Sequence, residues 1–212
     1  MAARREQRVI LICGYRRHGK DSFLRTLKCE KDCYAFDEYY LNDAKGKHVL
    51  KPGQAYVRVA FADILKQDVA SVLNVSTEYI ETYKDDVLTD EHRLAYVFDF
   101  VQPEKPGKPT YRDVLINQGA RHRSVDPLYY PRHTFARICQ QVGPHETIVV
   151  TDWRFDVEYT YACEFFGKDN LFTVRVFNPN VGIAAYDVQS EHDLDHRLTH
   201  LVAQPAGTAL RQ

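Results

Sequence analysis

The stretch that decides the fold is VILICGYRRHGKDS, residues 9–22 of the 212-residue chain. It opens with four consecutive apolar residues, the pattern of a strand that is buried on both faces of a parallel sheet. The strand is predicted to stop at Gly14, and a helix is predicted over residues 20–28. A strand, a turn with glycines and a helix in this order indicate an α/β protein.

Residues 14–20 also match the first seven positions of the Walker A phosphate-binding motif. Gly14 and Gly19 allow the backbone to curl so that successive N–H groups face phosphate oxygens. The helix adds the positive end of its dipole, and Lys20 is expected to reach the β- and γ-phosphates of a nucleotide. The alternative interpretation is a glycine-containing turn with a surface lysine.

The motif departs from its standard form directly after Lys20. Asp21 takes the usual hydroxyl position, and the hydroxyl follows one residue later at Ser22. Either oxygen ligand suits Mg²⁺, while Asp21 is also a favourable acidic residue in the first turn of a helix. Arg16 and Arg17, inside the loop, are candidates for stabilising the charge that develops in phosphoryl transfer, or are solvated loop residues.

A second signal is the predicted strand at residues 147–151, which runs into Asp152-Trp153-Arg154. Ligands of parallel α/β sheets bind at the carboxyl ends of the strands. Asp152 is therefore expected near a metal or an acceptor, and Arg154 is expected to hold a phosphate bidentately. An ion pair between these two residues at the strand end is the structural alternative.

The rest of the chain alternates strand and helix patterns, which predicts a parallel α/β sheet covered by helices on both faces. Residues 29–52, rich in Lys, Asp, Gly and Tyr, are interpreted as an insertion or long loop, and residues 102–109, with three prolines, as an exposed mobile segment. Further strands are predicted at residues 56–61 and 171–177, and helices at residues 64–73, 110–118, 132–141, 156–166 and 192–203, with another capped by Ser76.

Composition predicts a cytoplasmic protein. The five cysteines are odd in number and scattered, which favours reduced thiols, and the polar, basic start of the chain does not have the pattern of a signal peptide. A net charge of -1 provides no global attraction to nucleic acid or to a membrane. A site for a polyanion must therefore be built locally.

This ordered set of motifs resembles the phage-type deoxynucleoside monophosphate kinases, a P-loop family. Residues 14–22 match the family pattern Gly-x-x-Arg-x-Gly-Lys-Asp-Ser/Thr, including the displaced hydroxyl. The family's strand ending in Asp-x-Arg, with a glutamate four residues beyond the arginine, is matched by Asp152, Arg154 and Glu158. Weaker matches are residues 61–66, Arg112 with Gln118-Gly119, residues 126–130, 172–179 and 190–191.

The resemblance implies a three-layer P-loop kinase fold in one domain. The composition of the chain adds an insertion around residues 29–53, which has no counterpart in the family pattern, and a mobile lid around residues 102–125. The resemblance also implies transfer of a phosphoryl group from ATP to a nucleoside monophosphate with Mg²⁺, in DNA precursor synthesis, by a possible homodimer (in the host cytoplasm if the protein is viral). ATP and the metal would be held by Gly14, Arg16, Arg17, Gly19, Lys20, Asp21 and Ser22, with Asp21 and Ser22 as metal ligands. The acceptor would be held by Lys66, Arg112, Gly119, Tyr130, Asp152, Arg154 and Glu158, and the catalytic residues would be Lys20, Arg16, Asp152 and Arg154.

Other classes of protein fit less well. Animal-type phosphomevalonate kinases share the Gly-Lys-Asp and Asp-x-Arg patterns and are the nearest rival, while a GTPase would need Asp-x-x-Gly and Asn-Lys-x-Asp motifs, which are missing. His192, His196 and His200 recur every four residues, which predicts a solvated helical face or, alternatively, zinc ligands. The basic stretch at residues 121–123 is too short for a nucleic-acid-binding module.

Overall fold

The computed structural model describes residues 7–15, 17–28, 36–40, 55–96, 108–143, 146–181, 193–197 and 199–205. The chain forms two compact units. We call Met1–Ala60 with Ala136–Gln212 the sheet unit, and Phe61–Phe135 the helical unit. The prediction of one domain with an insertion and a lid stays a prediction, because its boundaries fall largely outside the described residues.

The described strands of the sheet unit form one six-stranded sheet in the order β3-β4-β1-β5-β6-β2. Five neighbouring strands are parallel, as the sequence predicts, and β2 pairs antiparallel with β6 at the edge. The strands are β1 (Val9–Cys13), β2 (Phe36–Tyr40), β3 (Tyr56–Val59), β4 (Thr147–Val150), β5 (Leu171–Val176) and β6 (Leu201–Pro205).

The helices confirm most of the periodicity in the sequence. The sheet unit contains α1, α7 and a 3₁₀ turn at Lys168–Asn170, the helical unit contains α2 to α5, and α6 runs across the boundary between the two units. Their bounds are α1 (Lys20–Lys28), α2 (Phe61–Leu73), α3 (Thr77–Tyr83), α4 (Asp90–Ala95), α5 (Tyr111–Val125), α6 (Tyr129–Gln141) and α7 (Asp156–Phe166).

One sequence-based assignment is wrong, and a second segment contains a strand that the sequence analysis missed. The helix predicted at residues 192–203 is replaced by a turn at residues 193–196 and by β6, whose residues Leu201 and Ala203 are buried against the sheet. The segment at residues 29–52 contains β2. Polar neighbours in the sequence hide the strand pattern, and pairing with β6 stabilises the strand. In both places, long-range strand pairing overrides the local pattern.

The core of the sheet unit explains why β1 is apolar throughout. All five of its residues are buried. Ile10 and Ile12 belong to one cluster with Phe23 and Leu27 of α1. The alternate residues of β1, which face the opposite side of the sheet, are buried as well, so both faces of the sheet are covered.

The helical unit has its own core. Leu73 of α2, Ile80 of α3 and Val114 of α5 pack in one buried cluster. The predicted cap is confirmed, because the hydroxyl of Ser76 accepts a hydrogen bond from the backbone N–H of Tyr79 at 3.1 Å. Within the described residues, no helix has the length and apolar character that crossing a membrane requires.

Candidate active site

The topology of the sheet creates a crevice at the carboxyl end of β1. The chain passes from β4 on one side of β1 to β5 on its other side. A crevice at such a change of direction is where open α/β sheets bind ligands. A cleft of about 330 Å³, counting its open mouth, lies at this position. Its lining residues all belong to the sheet unit: Cys13, Gly14, Tyr15, Lys20, Trp153, Arg154, Arg175 and Leu194.

The loop between β1 and α1 depends on glycine at its first position. Gly14 has φ of 142°, and a Cβ atom there would lie 2.3 Å from the carbonyl oxygen of Val176 in β5. Gly19 has φ of 96°, and Arg17 has φ of 67°, a left-handed conformation that non-glycine residues seldom adopt. The predicted loop residue Arg16 lies outside the described residues.

Lys20 brings a positive charge into the cleft from the first position of α1. Its ammonium group donates hydrogen bonds to the carbonyl oxygen of Gly14 at 2.6 Å and to that of Tyr15 at 3.0 Å. The side chain therefore lies along the loop that the sequence assigns to phosphate binding. Asp21, which is exposed, and Ser22, which is half-buried, follow in the first turn of the helix.

The described residues include no group of three or more His, Cys, Asp or Glu residues that could hold a metal ion. The assignment of Asp21 and Ser22 as metal ligands therefore stays a prediction from the sequence.

Arg154 reaches the cleft because Trp153 anchors the turn that follows β4. The indole ring is almost fully buried, and its N–H donates to the carbonyl oxygen of Phe155 at 2.9 Å. The backbone N–H of Trp153 donates to the carbonyl oxygen of Ile12 at 3.2 Å, which ties this turn to β1. The sequence analysis assigned no role to Trp153, although its place between two candidate site residues was a usable signal. Asp152 is half-buried beside it and is not one of the lining residues.

Glu158 has a clear structural task at the start of α7. Its buried carboxylate accepts hydrogen bonds from the backbone N–H of Arg154 at 2.8 Å and from that of Phe155 at 3.0 Å. These bonds satisfy donors at a helix N-terminus and hold the backbone of Arg154 in place. The predicted contact of Glu158 with an acceptor stays a prediction.

Arg175 is a lining residue that the sequence analysis missed. It is the one charged residue in β5, LFTVRV, and this interruption of an apolar strand near its carboxyl end was the available signal. Its guanidinium donates to the carbonyl oxygen of Leu194 and lies 3.6 Å from the carboxylate of Asp195.

The charged side chains that line the cleft are cationic, and one of them, Arg175, is paired with the carboxylate of Asp195 beside the cleft. Lys20, Arg154 and Arg175 line it, and no carboxylate is among the lining residues of the described chain. Burial raises the pKa of the Cys13 thiol to about 11, and the nearby positive charges only partly oppose this, so the thiol stays neutral. Such a cleft is suited to bind anionic groups.

Four of the predicted acceptor residues belong to the helical unit, where each has partners of its own. Lys66 pairs with Glu81 at 2.6 Å, and Arg112 pairs with Asp85 at 2.6 Å. Gly119 is buried, and a Cβ atom there would lie 3.3 Å from Leu65 and 3.1 Å from the guanidinium of Arg123.

The fourth of these residues, Tyr130, is also buried. Its hydroxyl is hydrogen-bonded to Nδ1 of His122 at 3.0 Å, and burial raises the pKa of the phenol. These contacts hold the four residues in place within their own unit. Their roles toward an acceptor stay predictions.

The proposed face of three histidines is wrong, because the segment is not helical. Nδ1 of His200 accepts a hydrogen bond from the backbone N–H of Thr173 at 3.0 Å, and its ring stacks on Phe172 with centroids 5.2 Å apart. His200 thus fastens the start of β6 to β5. His192 lies outside the described residues.

Comparison of the chain with protein-family models and with curated proteins gave no match. The function is therefore argued from the cleft and its residues.

Proposed function

We propose that the protein is an ATP-dependent kinase of the P-loop class, with a three-layer fold, and that its acceptor is a nucleoside monophosphate. One observation carries the proposal: the Gly14 loop, Lys20 and Arg154 border one cleft, whose charged lining side chains are cationic, at the carboxyl ends of β1 and β4. A strand, a loop and a helix that begins with lysine suit the phosphates of ATP. A second cation beside them suits the phosphate of an acceptor.

The choice of acceptor is supported by the resemblance of the Asp152-x-Arg154 and Glu158 pattern to the phage-type deoxynucleoside monophosphate kinases. In this reaction the γ-phosphoryl group of ATP passes to the 5′-phosphate of the acceptor. That phosphate is already largely ionised at neutral pH, since its second pKa is about 6, and the step needs no strong base. Catalysis then consists of aligning two phosphates and neutralising their charge.

The candidate site residues would have different roles in this reaction. Lys20 and the arginines of the loop, Arg16 and Arg17, would neutralise the triphosphate, and Arg154 would bind the acceptor phosphate. Asp152 would orient the metal or the acceptor. Glu158 supports Arg154 through the two backbone hydrogen bonds at the start of α7.

Mg²⁺ is the expected companion of ATP. Asp21 and Ser22 lie next to Lys20 in the first turn of α1, and their oxygen atoms are of the type that this ion prefers. Proteins commonly bind Mg²⁺ through one or two residues together with water and phosphate oxygens, so this donor set fits the ion. When bound, the ion would neutralise charge on the β- and γ-phosphates.

The first test is Lys20→Ala. We expect phosphoryl transfer to fall by at least about a hundredfold because the mobile charge on the β- and γ-phosphates is lost. ADP release with Mg·ATP and an acceptor measures this, and circular dichroism checks that the fold survives. Lys168→Ala, a change of an exposed lysine in the 3₁₀ turn, is the matched control. A fully active Lys20→Ala protein would refute the assignment.

The acceptor is identified with the same assay and a panel of the four deoxynucleoside monophosphates, the ribonucleotides and phosphomevalonate. Turnover with a nucleotide supports the proposal. Turnover with phosphomevalonate alone would move the protein to the rival kinase class. ATP hydrolysis that no acceptor stimulates would indicate a non-kinase P-loop NTPase.

A further inference from the structure

The turn at residues 193–197, which we call the 193–197 segment, contacts three of the elements around the cleft. Leu194 lines the cleft, and its carbonyl oxygen accepts a hydrogen bond from Arg175 of β5. Asp195 contacts the loop after β1. Arg197 pairs with Asp156 at the start of α7. One short segment thus joins the ends of β1 and β5 to the first turn of α7.

Asp195 occupies the centre of these contacts. Its carboxylate accepts a hydrogen bond from the hydroxyl of Tyr15 at 2.7 Å and lies 3.6 Å from the guanidinium of Arg175. A hydrogen bond from a hydroxyl to a carboxylate is roughly twice as strong as a hydrogen bond between two neutral groups. Burial raises the pKa of Tyr15 to about 12, and the bond to Asp195 adds to the shift. Tyr15 therefore remains a donor throughout the neutral range.

The position of Tyr15 matters because the phosphate loop is built around it. Its carbonyl oxygen accepts hydrogen bonds from the ammonium group of Lys20 at 3.0 Å and from the backbone N–H of His18 at 3.2 Å. Its ring packs edge-on against the ring of His18, with centroids 5.3 Å apart. A side chain that holds Tyr15 therefore also restrains the carbonyl group to which Lys20 binds.

We propose that Asp195 is a positioning residue, which ties Tyr15 of the loop to Arg175 of β5 and keeps the loop in the shape that binds phosphate. The two contacts of Asp195, with Tyr15 and with Arg175, which we call the tie, are present in the protein without ligand. The consequence of the tie, tighter binding of Mg·ATP, rests on the proposed function. Because Asp195 acts through Tyr15, its loss should raise the KM for ATP and leave kcat nearly unchanged.

The tie is tested first without nucleotide, by hydrogen exchange of the backbone amides at residues 17–20. Asp195→Ala removes both contacts, Tyr15→Phe removes only the hydroxyl, and Asp195→Asn keeps an acceptor for that hydroxyl while losing the charge toward Arg175. Asp169→Asn, at an exposed aspartate of the 3₁₀ turn, is the control. We expect about tenfold faster exchange of the loop in Asp195→Ala and in Tyr15→Phe. Asp195→Asn should lie between these variants and the wild type.

Binding of Mg·ATP is then measured by calorimetry on the same proteins. The affinity for Mg·ATP should fall about tenfold in Tyr15→Phe and in Asp195→Ala. The double variant should bind no more weakly than Asp195→Ala, because both substitutions break the same hydrogen bond.

Unchanged loop exchange in Asp195→Ala would overturn the tie, whatever the nucleotide does. Faster loop exchange with unchanged ATP affinity would overturn its role in binding. If the wild type binds no ATP, the proposed function fails, and the exchange data alone decide whether the tie exists.

Discussion

At the scale of single residues, the cleft depends on a few side chains whose surroundings permit little change. Gly14 lies where the loop passes closest to β5, and no side chain fits there. Lys20 lies along the loop carbonyls, and Arg175 holds the 193–197 segment. Each of these residues joins an element of secondary structure to the cleft, so substitutions there are expected to affect both stability and binding.

Gly14→Ala is predicted to destabilise the protein by at least about 2 kcal/mol. The reasons are the positive φ and the backbone carbonyl of Val176, which would lie 2.3 Å from the new methyl group and is fixed within β5. Urea unfolding followed by circular dichroism measures the loss.

Gly143→Ala is the matched control for that substitution. Its Cβ atom would lie 3.3 Å from the carboxylate oxygen of Glu146 that accepts a hydrogen bond from the N–H of Gly143 at 2.7 Å, and a small shift of this side chain relieves the contact. The control should change stability by less than about 1 kcal/mol. Equal effects of the two substitutions would contradict the close approach of the loop to β5.

At the scale of elements, the first turn of α7 is held from two sides. The carboxylate of Glu158 accepts two backbone hydrogen bonds at the helix start. Asp156 is paired with Arg197, whose guanidinium also lies 4.2 Å from the centre of the Tyr159 ring. The hydrogen bond from Arg197 holds the pKa of Asp156 below its ordinary value of 3.8. The start of this helix is thereby fastened to the 193–197 segment.

This ion pair predicts a pH dependence of stability. Because the pKa of Asp156 is lowered in the folded state, its contribution is present above the unfolded pKa of 3.8 and is lost as the pH falls through the lower folded value. A double-mutant cycle of Asp156→Asn and Arg197→Gln, read from urea unfolding, should give a favourable coupling at about pH 7. The coupling should be smaller at about pH 3. A coupling that is the same at both pH values would contradict the ionic character of the pair.

At the scale of the whole molecule, each of the two compact units has a buried apolar cluster of its own. Leu27 belongs to the cluster of the sheet unit and Leu73 to that of the helical unit, and each is 3% exposed. Since a core stabilises the segments that pack around it, each unit is expected to have a local stability of its own. The two leucines are a matched pair for measuring these local stabilities.

Leu27→Ala and Leu73→Ala are each predicted to cost about 2–5 kcal/mol, because each leaves a cavity in a packed core. Native-state hydrogen exchange should show the larger loss of protection in the unit that carries the substitution. An equal loss of protection in both units would show one cooperative unit, which is the single-domain organisation that the sequence predicts.

Much of the fold was predictable because its signals are local. The apolar run of β1, the glycines of the loop and the periodicity of α1 and α7 each depend on neighbours in the sequence, and the structure has them at the predicted places. β2 and β6 were not predictable in this way. Each depends on a partner strand that lies far away in the chain, and the residues around them are polar or suggest a helix.

The residues of the candidate site can be divided in the same way, into those with a local signal in the sequence and those without one. The sequence by itself predicted the loop with Lys20, which we propose binds phosphate, and the charged strand end with Arg154, because each is a short motif next to an apolar strand. Only the tertiary structure decided that Arg175 and the 193–197 segment border the same cleft, and that Glu158 turns its carboxylate to backbone amides. The physical reason is that a short motif is made by neighbours in the chain, whereas a cleft depends on which strands pair and which segments fold across their ends.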